Sequence, residues 1–226
     1  MAIQEFDKLN ILQRHSMPYD DYFGDMLLTD KQKKKRKDTA LILEDVLAII
    51  FEVLYAQMVM GMVDEVGIKQ QFIYELYDAF SQRDFFDSDE QFEEYLIMIV
   101  NEIIDTTLAN MEKHPNDYDY KGEKPYWVSE DRAMFIAEDQ ANILCNNSDY
   151  LEAIAEGKTH KIWMAYPDDN VRPTHVEVNG VELPITAYFD VGSARMLFPG
   201  DVTSELSTGK YYPQETIRCR CTIKYI

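Results

Sequence analysis

An Asn179-Gly180 pair between two runs of alternating apolar residues is the feature that most constrains how this chain folds. Asn-Gly supplies the positive φ angles of a two-residue type I′ turn, and apolar alternation is typical of strands with one buried face. The pattern predicts a β-hairpin over residues 176–183, in which Glu177 faces Glu182. Two carboxylates directly opposite each other repel, so we expect a basic side chain beside them.

The last eleven residues, 216–226, alternate in the same way. Cys219 and Cys221 fall on an apolar face and Arg218 and Arg220 on the opposite face, because side chains alternate along a strand. The pattern predicts a final strand. We expect Arg218 or Arg220 to neutralise the two facing carboxylates of the predicted hairpin.

Polar residues of the C-terminal part form a candidate structural cluster. Asp168 begins a turn of the type in which Asx side chains bond the local backbone, and Asp201 lies in another turn. An arginine can clamp a carboxylate in bidentate fashion. We therefore assign these residues to architecture and predict no catalytic residue. The cluster consists of Asp168, Arg172, His175, Asp201, Arg218 and Arg220.

A metal site is the first alternative for this region. Imidazole and thiolate are ligands that zinc prefers, so His175, Cys219 and Cys221 are three candidate ligands, with Asp168 or Cys145 as the fourth. Against zinc, the Cys-x-Cys face is apolar, and cysteine is often buried for packing alone. Our expectation is no cofactor, with zinc as the alternative.

An enzyme is the second alternative. His175 would be a general base, Asp168 or Asp201 its partner, and Cys219 a nucleophile. No nucleophile elbow, phosphate-binding glycine loop or His-Glu-x-x-His helix accompanies them. The sequence therefore predicts a protein that is not an enzyme, and a zinc enzyme is kept as the alternative.

Several residues of this region follow one another in a characteristic order: Trp163, Asp168, Val171-Arg172, His175, Gly180, Phe198-Pro199-Gly200-Asp201 and Cys219-Arg220-Cys221. This order resembles the C-terminal domain of the Mu F-like minor head proteins, the head morphogenesis family of tailed bacteriophages. One departure is that the family commonly has Asn where this chain has Arg218.

The resemblance implies a structural minor head protein. Its partners would be the phage portal and capsid proteins, and it would take part in head assembly and in DNA packaging or ejection. It would be found in the virion, and in the host cytoplasm during assembly.

The charge is uneven along the chain. The net charge is −19, and residues 39–119 carry three basic and eighteen acidic residues. Such a balance argues against binding nucleic acid through a general basic surface. An acidic module that binds a host protein is an alternative function. No run is apolar enough for a spanning helix, which needs about 20 mostly apolar residues, so no membrane contact is expected.

The basic run at residues 31–37 has six basic residues in seven positions. We expect it to close an extended arm over residues 1–38, either as a solvated linker or as a tether to packaged DNA or to an acidic partner.

Helical periodicity follows this arm. Residues 39–125 are predicted to form an acidic helical region, which includes a short helix at 69–80. Ser88 and Gln91 have the spacing of a capping box at the start of a further helix. The methionines of this region either extend an apolar surface or, more simply, fill the core. Residues 126–226 are predicted to form the Mu F-like domain, with Ser129 as the N-cap of its leading helix. The fold class is α+β, with a mostly helical N-terminal region and a small hairpin-rich C-terminal domain. The main apolar stripes contain Leu43, Val46, Leu47, Ile50 and Leu54, and then Phe92, Tyr95, Leu96, Ile99 and Ile103.

Overall fold

The structure is a computed structural model that describes residues 19–166, 171–203 and 212–226. The chain forms two compact units. The helical unit comprises Met1–Asp21, Lys37–Arg83 and Glu93–Glu138, and the sheet unit comprises Tyr22–Arg36, Asp84–Phe92 and Asp139–Ile226. Long helices and short antiparallel strands confirm the α+β class.

The elements follow one another in a simple order, with long helices first and strands last. In the described residues the helices are α1 (Asp20–Gly24), α2 (Asp30–Val59), α3 (Glu65–Phe80), α4 (Asp89–Lys113), α5 (Glu130–Ala155), α6 (Pro173–Glu177) and α7 (Pro213–Thr216). The strands are β1 (His160–Met164), β2 (Glu182–Pro184), β3 (Phe189–Val191), β4 (Ala194–Met196) and β5 (Thr222–Tyr225).

The helical stripes are confirmed by burial. Leu47 on α2 is 1% exposed and Leu54 is 0% exposed, since a 3.6-residue period places both on one face. The predicted caps form as well: the Gln91 backbone N–H donates to Ser88 Oγ, and the Arg132 backbone N–H donates to Ser129 Oγ.

The methionines after α2 do not fill the core. Met60 is 60% exposed and Met62 is 67% exposed. α2 ends at Val59, so these residues lie in the turn before α3 and no longer follow the buried stripe. The core-filling interpretation of these two residues is wrong.

The extended arm is also wrong where the structure describes it. Residues 30–38 are the first turns of α2, and α1 precedes them; residues 1–18 lie outside the described part. Cations at a helix N-terminus oppose the helix dipole. Here α5 offsets that cost, because Arg36 Nη2 lies 2.9 Å from Asp149 Oδ2 and Lys31 Nζ lies 2.9 Å from Glu152 Oε1.

The sheet unit contains two antiparallel sheets. The first has the strand order β2-β1-β5, with Trp163 opposite Ile223, and the second is the β3-β4 pair. Trp163 and Phe189 are both buried, and their rings meet edge to face with 5.2 Å between centroids. Cys219 and Cys221 belong to the same apolar core.

The predicted hairpin at residues 176–183 is wrong. The segment before the turn is the short helix α6, and β2 pairs with β1. Pro173 occupies the first turn of α6, where its fixed φ is favourable and its missing N–H costs nothing. Of the Asn179-Gly180 pair only Gly180 has a positive φ, 75°. Because Glu177 is helical, it does not face Glu182 across a strand pair.

The predicted final strand is right only from Thr222 onward. Its first residue, Thr216, is the last residue of α7, and Arg218 then turns the chain with a φ of 60°. Alternation alone did not reveal this turn, because Cys219 and Cys221 are buried without being in a strand.

Candidate functional site

His175, Cys219 and Cys221 meet at the edge of the sheet-unit core. His175 Nδ1 lies 3.4 Å from Cys219 Sγ and 3.5 Å from Cys221 Sγ. The three side chains are 1%, 3% and 1% exposed. The structure thus brings together the three candidate zinc ligands, while metal binding itself stays a prediction.

The two thiols of the cluster differ in pKa. The interaction with Cys219, with a further contribution from His175, lowers the pKa of Cys221 to about 5. The interaction with Cys221 and burial raise the pKa of Cys219.

Glu215 was missed in the sequence and faces the other side of the imidazole. Its Oε2 lies 3.4 Å from His175 Nε2 and accepts a hydrogen bond of 2.8 Å from the Thr174 hydroxyl. Gly192 makes room for it, because a Cβ there would lie 2.3 Å from Glu215 Oε1. The sequence contained only a weak indication of this role. Glu215 lies two positions after Pro213, in a short helix that ends before the Cys-x-Cys.

A polar stripe on α5 holds the loop that carries the cysteines. Asp139 Oδ1 accepts the Arg218 backbone N–H at 2.6 Å, and Asn142 Nδ2 donates to the Cys219 carbonyl at 2.8 Å. Farther along, Asn146 Nδ2 donates to the Pro199 carbonyl at 2.8 Å. Spacings of three and four residues place these side chains on one helical face.

The same stripe binds the start of α2 within the sheet unit. Arg36 Nε donates to Asn142 Oδ1 at 3.0 Å and Arg36 Nη2 to Asn146 Oδ1 at 2.5 Å, beside its ion pair with Asp149. Arg36 is 0% exposed, so the cation that looked like part of a solvated run is the most buried of the run.

Burial also changes the pKa of Asp139. It raises the pKa of Asp139 to about 6, and the hydrogen bond from the Arg218 N–H opposes that rise. The bond holds Arg218 in a left-handed conformation that Asn tolerates better than Arg.

Three of the predicted cluster residues surround the cysteines and His175. Arg172, Arg218 and Arg220 line a cavity of about 60 Å³ with them. Arg172 donates to the Ile217 carbonyl. The guanidinium of Arg218 lies 4.7 Å from the Tyr22 ring centroid and that of Arg220 lies 3.8 Å from the Tyr166 ring centroid.

Asp201 lies apart from this cluster, and Asp168 lies outside the described residues. Asp201 accepts the Leu197 and Thr203 backbone N–H groups, both at 2.7 Å, and so closes its own turn. Burial raises the pKa of Asp201, and the charge of Lys161 opposes that rise. Lys161 is 0% exposed, and burial lowers its own pKa to about 8. Among the described contacts, the carboxylate partner of His175 is Glu215, not Asp201.

The cavity limits the chemistry of the site. Pockets that hold small-molecule ligands usually measure about 300–1,000 Å³. The described residues beside His175 leave about 60 Å³, room for one or two waters. This space suits a buried structural centre better than the turnover of an organic substrate.

Comparison with known protein families identifies the family of this chain. A family model described as Phage Mu protein F like protein matches residues 102–224, more than half of the chain. The chain belongs to the Phage Mu protein F like family, a family of structural phage head proteins. Neither a curated protein nor a solved structure matches it.

The matched region extends beyond the predicted domain. It begins in α4, whereas the sequence pattern placed the start at residue 126. It includes the polar stripe of α5, the His-Cys cluster and Glu215.

In the described part of the chain, no helix combines the length and apolar character that a membrane crossing needs.

Proposed function

We propose that this chain is a minor head protein that binds the portal while the head assembles and remains in the particle. The observation that carries the proposal is the family match over residues 102–224. The buried His-Cys cluster supports an architectural role, since its cavity of about 60 Å³ is too small for an organic substrate.

An exposed apolar turn in the helical unit is the contact surface in this proposal. It extends from the last residue of α2 into the first turn of α3, and large exposed apolar patches mark interaction sites. Methionine side chains repack easily against a partner. Its residues and exposed fractions are Val59 70%, Met60 60%, Met62 67%, Val63 41% and Val66 66%.

The charge around this turn describes the partner surface. Asp64 and Glu65 follow Val63 directly, and residues 39–119 carry a large acidic excess. Complementary charge selects a partner and speeds association. The matching portal surface is therefore an apolar pocket with a basic rim.

Co-expression of the full chain with the portal protein of the same phage tests the contact. The two should co-elute in size-exclusion chromatography. A Met60→Glu/Met62→Glu double variant should bind at least about tenfold more weakly, because it buries unpaired carboxylates. Ile97→Glu, at an exposed apolar residue on α4, is the matched control and should bind normally. Co-elution unaffected by the double variant excludes this turn, and no co-elution of the wild type excludes the portal.

Mass spectrometry of purified particles tests residence in the head. The protein should be present at low copy number beside the portal and major capsid proteins. Its absence from complete heads would rule out a virion component, whatever the outcome of the portal experiment.

Contact with packaged DNA through residues 31–37 is the weaker form of the proposal. Arg36 is paired with Asp149, Lys31 with Glu152, and Lys37 with Asp20. Cations that already neutralise carboxylates release fewer counterions on binding phosphate. Weak DNA binding with a shallow salt dependence is the expected result in a filter-binding titration.

A further inference from the structure

The distances within the His-Cys cluster match the edges of a metal coordination tetrahedron. With zinc–sulfur bonds of about 2.3 Å and zinc–nitrogen bonds of about 2.0–2.1 Å, tetrahedral angles separate nitrogen and sulfur by about 3.5 Å. His175 Nδ1 lies 3.4 Å from one sulfur and 3.5 Å from the other. The three ligand atoms all lie within 4.8 Å of one another.

Hydrogen bonding alone does not explain two sulfurs at equal distance from one nitrogen. In neutral imidazole, Nδ1 either carries one hydrogen or offers one lone pair, so it makes one good bond. Here Cys219 and Cys221 both face it. A metal ion between the three atoms would use the Nδ1 lone pair and both thiolates at once.

The opposite side of the imidazole has the partner that a metal-bound histidine needs. Coordination through Nδ1 leaves the hydrogen on Nε2, and such hydrogens are commonly donated to a carboxylate that orients the ring. His175 Nε2 is buried and makes no hydrogen bond to the described residues. Glu215 Oε2 lies 3.4 Å from it and is held by the Thr174 hydroxyl.

We propose that His175 Nδ1, Cys219 Sγ and Cys221 Sγ bind a zinc ion. Two thiolates cancel the charge of Zn²⁺, so the centre is compatible with Arg172, Arg218 and Arg220 around the cavity. That cavity provides the fourth position, with space for a water molecule. Glu215 is a positioning residue. The inference is independent of the proposed head function, because it rests only on geometry within the sheet unit.

Metal analysis of the purified full chain is the first test. Plasma mass spectrometry should find one zinc per chain after expression with zinc and dialysis. Cys219→Ser, Cys221→Ser and His175→Ala should each lose it. The matched control is Cys145→Ser, since Cys145 is also a buried cysteine and is not a member of the cluster among the described residues.

Cobalt(II) is the second test and reports the ligands directly. Full-length wild type should give thiolate-to-cobalt charge transfer in the near ultraviolet and strong tetrahedral bands in the visible. Cys145→Ser should keep both spectra, and Cys221→Ser should lose them. Glu215→Gln should keep the spectrum and bind zinc about 10–100-fold more weakly.

The two tests overturn the proposal in different ways. Wild type that contains no zinc and gives no cobalt spectrum excludes a metal site. Cys219→Ser and Cys221→Ser variants that keep both signals exclude these ligands. Circular dichroism of every variant shows that lost metal is not lost fold.

Discussion

One face of α2 in the helical unit differs in composition from one face of α5 in the sheet unit. The α2 face contains Leu47, Ile50 and Leu54. The α5 face contains Asn142, Asn146 and Asp149. Both faces are buried. The first has only apolar groups, whose burial contributes about 25 cal/mol per Å² without any specific partner. The second gains stability only where each polar group meets its counterpart.

This difference shows how a unit with very short strands can still have a defined structure. β2, β3 and β4 have three residues each, so their ladders hold little of the fold. The amides and carboxylates of α5 instead fix the loops that contain Cys219 and Pro199. A helix face thus provides the order that longer strands provide in larger sheets.

Removing the central cation should have the largest effect on the sheet unit. Arg36→Ala leaves Asn142, Asn146 and Asp149 without their shared donor, and breaking a buried pair costs about 3–5 kcal/mol. Urea unfolding followed by Trp163 fluorescence in a Trp127→Phe background measures the loss. Lys31→Ala, which removes an exposed partner of Glu152, should change the free energy of unfolding little. Equal effects of the two variants would contradict a polar network centred on Arg36.

Truncation of a buried leucine in the helical unit should lower the free energy of unfolding slightly less than the loss of Arg36. This loss should also respond differently to pH. Leu54→Ala removes methyl groups from a 0% exposed site and should lower the free energy of unfolding by about 2–5 kcal/mol. The loss should be the same at pH 5 and pH 8, because no charge changes. Far-UV circular dichroism in urea gives the value, with exposed Leu41→Ala as control. A strong pH dependence of the loss would break the contrast between the units.

Replacing the buried lysine should stabilise the protein. The pKa of Lys161 falls from 10.5 to about 8 on burial, so below pH 8 the folded state holds a poorly solvated cation. A shift of this size corresponds to about 3 kcal/mol, present in full below pH 8 and relieved as pH rises to 10.5.

Lys161→Met should therefore raise the free energy of unfolding by about 2–3 kcal/mol at pH 7 and by little near pH 10.5. Urea titrations at both pH values measure this. Lys224→Met, on the exposed side of β5, is the control. A gain that does not shrink at high pH would mean that packing, not charge, causes it.

The smallest effect is expected at Asp139, with the opposite pH dependence. Its pKa rises from 3.8 to about 6, so the folded state binds more protons between these values and loses stability as pH rises through them. Asp139→Asn keeps an acceptor for the Arg218 N–H without the buried charge. It should gain about 2 kcal/mol above pH 6 and almost nothing below pH 4. Asp139→Ala, which lacks the acceptor, should be less stable than Asp139→Asn at every pH; the reverse order would exclude this bond as a stabilising contact.

The helices could be predicted from sequence because their signals are local. The stripe containing Leu43 and Leu47, the Ser88 and Ser129 caps, and the break between α4 and α5 all depend on neighbours within a few residues. Only part of the candidate site could be predicted from the sequence. His175 and the two cysteines stood out as residue types, whereas Glu215 and Gly192 only acquire a role once distant segments meet.

The local sequence pattern predicted the wrong structure in two places, because contacts in the folded chain favour a different conformation there. Asn179-Gly180 indicated a hairpin, yet Pro173 starts a helix before it and β1 supplies the partner of β2. The basic run indicated a solvated arm, but α5 offers it carboxylates more than a hundred residues away in the chain.

Residue identity and spacing by themselves determined the fold class, the apolar faces of the long helices, their caps and the family. These follow from short-range periodicity and from an ordered set of anchor residues. Only the tertiary structure decided that Arg36 is buried, that Glu215 faces His175 and that both sulfurs lie about one tetrahedron edge, about 3.5 Å, from the same nitrogen. Polar groups bond according to distance and direction in space, and no linear spacing specifies those across segments that are far apart in the chain.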